Sequence, residues 1–82
     1  MTQPITFADA GAEEQSRALA YVTEAFAEAI LAGVEGDSFA HAAVIAALRE
    51  LVATYGEDSV ASFAERLPAR IRGGEFSLGV RH

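Results

Sequence analysis

The chain has 82 residues, 51% of them apolar, with no cysteine and a net charge of −6 at neutral pH. Disulfides, thiolate metal sites and thiol chemistry are thereby excluded. The acidic balance argues against nonspecific nucleic-acid binding and against anionic membranes, and no apolar run approaches the ~20 residues of a bilayer span. No basic leader opens the chain, so a cytoplasmic location is expected.

A single domain spanning residues 1–82 is expected. Chains of this size bury only roughly 60% of their unfolded surface. Small domains compensate with disulfides, a metal or a partner subunit. Two histidines, His41 and His82, make a poor metal cage, which leaves helix packing or oligomerisation. Eighteen alanines and the absence of lysine mark a helix-favouring composition in which all six basic groups are arginine.

Residues 1–11 read as an arm. Pro4 disfavours helix before it, Ile5 and Phe7 alternate with polar neighbours, and Thr6 or Asp9 offers a cap to the first helix. The spacing of Leu19, Val22, Phe26, Ile30 and Val34 predicts a helix over about 12–33 with one apolar stripe. Glu13, Glu14, Arg17, Glu24 and Glu28 lie mostly off that stripe, and Glu13–Arg17 is an i,i+4 pair. Gly33 and Gly36 supply the left-handed geometry that stops this helix.

A second helix is predicted over about 38–55, with a stripe of His41, Val44, Ile45, Leu48, Leu51, Val52 and Tyr55. Its first half, Phe39 to Leu48, is apolar on nearly every side except His41. A helix apolar all round is normally buried all round, and two neighbours seldom cover it. A third helix is predicted over about 59–72, with Val60, Phe63, Ala64, Leu67 and Ile71 inward. Pro68 should kink or break it, and Gly73-Gly74 should end it. In the tail, 73–82, Phe76, Leu78 and Val80 alternate, as in an extended segment with one apolar face. Connections of about three residues imply antiparallel neighbours. The expected fold is all-α: an antiparallel three-helix bundle with short extended N- and C-terminal arms.

Two doublets, Asp37-Ser38 and Asp58-Ser59, each follow closely on a glycine and precede a helix. Both residue types cap helix N-termini, and capping is expected for both doublets. The string Gly36-Asp37-Ser38-Phe39 also resembles the motif at the second helix of acyl and peptidyl carrier proteins, with Val44, Ile45 and Leu48 at similar apolar spacings. That resemblance covers about fifteen residues and implies a phosphopantetheine arm on Ser38. The chain departs from that family in two ways. It has a continuous amphipathic helix where carrier proteins have a long loop, and one proline-containing helix where they have two short ones.

His41 falls on the apolar stripe of the second helix without an accompanying Glu-x-x-His spacing, so a structural or subunit-contact role is expected. Glu24 and Glu28 stand one turn apart, with Glu35 beyond. Paired carboxylates of this kind can ligate metal or divide acid and base roles, but here a solvated face is expected. No nucleophile–histidine–acid pattern, phosphate-binding glycine loop or zinc spacing occurs. No catalytic residue, cofactor or metal is expected.

Charge is unevenly distributed. Residues 1–65 hold eleven acids and two arginines, a local charge of −9, whereas residues 66–82 hold four arginines and one acid, a local charge of +3. Arg66, Arg70 and Arg72 crowd the end of the third helix, where cations favour the helix dipole or can meet an acidic face of another molecule. These arginines are also what a helix-turn-helix DNA binder would use, against the repulsion of the remaining surface. The composition points to a non-catalytic interaction or regulatory protein. It is expected to self-associate as a dimer, and another protein is the other partner class considered. The expected contact residues are Phe39, His41, Ile45 and Leu48, with Arg66, Arg70 and Arg72 in electrostatic support.

Overall fold

A computed structural model of the protein describes residues 11–78. It is all-α. Four helices follow in order: α1, Gly11–Leu31; α2, Gly36–Tyr55; α3, Glu57–Glu65; and α4, Leu67–Arg72. The chain divides into two compact units, whose described parts are residues 11–50 and residues 51–78. Residues 1–10 of the predicted arm, with Ile5 and Phe7, and the last apolar tail residue, Val80, lie outside the described residues, and Gly11, expected in the arm, opens α1.

In the first unit, α1 carries Glu13 and Glu14 in its first turn, where carboxylates favour the positive end of the helix dipole. Its C-terminus is a Schellman turn. The Val34 N–H donates to the Ala29 carbonyl at 2.9 Å, and the Gly33 N–H to the Ile30 carbonyl at 3.0 Å. Gly33 occupies the left-handed position at φ 92°, as the paired bonds require. Val34 therefore lies in the connection rather than on the helix. Gly36, expected to share in stopping α1, instead opens α2. Near this turn the Phe26 and Phe39 rings meet edge to face, with centroids 4.7 Å apart and planes at 80°. Phe26, Ala29, Gly36, Phe39 and Ala40 are all half-buried around that contact.

The predicted ion pair of α1 is replaced by its neighbour. The Arg17 guanidinium donates to Glu14, one turn away at i,i+3, at 3.3 Å. Both spacings share a helix face, and the closer carboxylate takes the contact.

The second unit turns on Gly56. Its N–H closes α2 by donating to the Val52 carbonyl at 2.8 Å, and its own carbonyl accepts from Val60 at 3.2 Å to open α3. One residue thus joins two helices, where a connection of about three residues was expected. The backbone there, φ 88° and ψ 165°, is a conformation essentially confined to glycine. Ser59 and Val60, at 3% and 6% exposure, are the only buried side chains among the described residues.

Both Asp-Ser doublets lie inside the first helical turn rather than at the cap: α2 begins at Gly36, and α3 begins at Glu57 with Gly56 as its N-cap. Asp37, Glu57 and Asp58 act there as first-turn acids against the dipole.

The third helix, expected as one piece over about 59–72, is two, separated at Arg66. Pro68 has no N–H to continue the ladder, and in a continuous helix its ring would collide with the Ala64 carbonyl. The helix instead ends at Glu65, and Pro68 enters the first turn of α4, where a missing donor costs nothing.

The tail does not start as an extended strand. Residues 73–76 form a second Schellman turn, with Gly74 at φ 86°. The Glu75 N–H donates to the Arg70 carbonyl at 3.2 Å, and the Gly74 N–H to the Ile71 carbonyl at 3.1 Å.

Candidate functional site

The uncovered surface of the two long helices is the main feature of the described residues. Neither α1 nor α2 contains a buried side chain. On α1 the predicted inward stripe is largely open: Leu19 is 64% exposed, Val22 48% and Ile30 53%, and only Phe26 is half-buried.

The composition of α2 offers that stripe little to rest against. Going round at 100° per residue, the side of α2 that carries Phe39 continues as Ala43, Ala46 and Ala47. Alanine offers little area for a leucine or valine to rest against. Phe26 meets another aromatic ring, and the apolar residues farther from the turn have no large counterpart on that side.

The four residues expected on α2 do not form one patch. Phe39 is turned to Phe26. His41, Ile45 and Leu48 follow one another at i, i+4 and i+7 and share a different face. Ile45 and Leu48 are half-buried, while His41 and Val44 are exposed. No residue between Phe39 and Leu48 is fully sheltered within the chain.

The three arginines differ in their surroundings. Arg70 is engaged by its own chain: its Nε donates to Glu75 Oε1 at 2.9 Å and its Nη2 to Glu75 Oε2 at 2.6 Å. The guanidinium carbon also lies 5.2 Å from the centre of the Phe76 ring, within cation–π range. The paired hydrogen bonds with Arg70 hold the Glu75 carboxyl below the usual carboxylate range, and those with Glu75 raise the Arg70 guanidinium further. This clamp closes the Schellman turn, taking the place of the apolar contact that commonly accompanies it. The sequence reading missed the contribution of Glu75 and Phe76. The five- and six-residue separations from Arg70 are meaningful only once Gly74 folds the chain back. Arg66 and Arg72 are exposed and make no ion pair with another described residue.

Ser38 is exposed in the first turn of α2, whereas its sequence counterpart Ser59 is buried. Glu24 and Glu28 line a shallow concavity on α1 together with Tyr21, Ala25, Ala27 and Leu31, on the side of the helix away from the Leu19 stripe. Among the described residues, no three histidine, aspartate or glutamate side chains gather as metal ligands. None of their helices is long and apolar enough to cross a membrane.

No family model, curated protein or solved structure matches the chain. Function is therefore read from the surface that the helices leave open.

Proposed function

We propose that this is a small, non-catalytic helical interaction protein that self-associates, as a dimer, through an apolar helix face. The observation that carries this reading is the exposure of Leu19, Val22 and Ile30 along one stripe of α1. Amphipathic helices gain their stability in proteins by burying such a stripe. Covering the half that remains open on each of these side chains contributes about 1 kcal/mol per residue at ordinary transfer values. Ile45 and Leu48, half-buried on α2, add apolar area that a second chain can complete.

Static light scattering over a dilution series tests the reading. The mass should rise above that of the 8.6 kDa chain as concentration increases through the micromolar range. A mass that stays at one chain throughout removes self-association.

A further inference from the structure

We draw no further inference here: the strongest candidate, the exposed apolar stripe of α1 at Leu19, Val22 and Ile30, belongs to the surface already described, and nothing in the structure shows what covers it.

Discussion

Gly56 is the position where a single methyl group should do most harm for least crowding. Replacing it by alanine puts a Cβ into open space, with no atom within 4 Å, so no clash contributes. What remains is the backbone: φ 88° and ψ 165° is a region that costs an L-residue about 1–3 kcal/mol. Restricting the unfolded chain returns about 0.4–1 kcal/mol. The net loss for Gly56→Ala is therefore about 1–2 kcal/mol, or roughly 5–15 °C in melting temperature for a domain of this size.

Gly36→Ala is the matched control. That residue is helical, and the added Cβ meets the Ile30 Cδ1 at an ordinary 3.6 Å. Stability should stay level or rise by up to about 1 kcal/mol. Thermal and urea unfolding followed by far-UV circular dichroism measures both. D-alanine at position 56, introduced by chemical synthesis, isolates the cause, because its mirror-image preference accepts positive φ. It should restore wild-type stability or exceed it. The reasoning is refuted if Gly56→Ala unfolds with the wild type, or if D-alanine is as damaging as L-alanine.

Three further outcomes follow from the same geometry. Val60→Ala removes the one buried apolar side chain among the described residues and should cost about 1–3 kcal/mol by urea unfolding, within the range of core truncations; an unchanged midpoint would show that Val60 anchors nothing. The Glu75 carboxyl, depressed by Arg70, stabilises the C-terminal turn above the ordinary carboxylate range. That contribution should be lost as pH falls through the lowered value, beneath the ordinary carboxylate range. A carboxyl NMR titration reads this directly, and Arg70→Gln should return the Glu75 midpoint to the normal range. Intact-mass analysis after incubation with a phosphopantetheinyl transferase and coenzyme A should find no adduct; a phosphopantetheine mass lost in Ser38→Ala would instead establish the carrier reading.

Much of the helical content was legible because its signals are local. The 3.6-residue spacing of Leu19, Val22, Phe26 and Ile30 predicted α1, and glycines at positions 33 and 74 marked two helix ends that the hydrogen bonds confirm. The starts of α2 and α3 were misplaced because Asp and Ser serve a helix both as caps and as first-turn residues. Composition cannot separate the two uses. The division at Arg66 was half legible. Pro68 announced a disturbance, but where the chain turned depended on the proline finding a first-turn position in α4. The Arg70–Glu75–Phe76 clamp was invisible as an alternation of apolar residues, since it exists only after the chain reverses at Gly74.

The candidate surface was read from composition and expected mainly on α2. The apolar first half of α2 drew attention because nearly every side of it is greasy. Its alanines, however, expose little area, and Phe39 is engaged by Phe26. The larger exposed side chains stand on α1, whose stripe looks like an ordinary inward face in the sequence. What the sequence could not show is that Phe39 turns to Phe26.

Sedimentation equilibrium of the wild type beside Leu19→Asp tests the central claim most directly. Wild-type chain should shift with concentration from 8.6 kDa toward twice that mass, while the aspartate variant, its charge set into the apolar face, should remain a helical monomer at every concentration. Identical masses for the two proteins, whether both single or both paired, would contradict it.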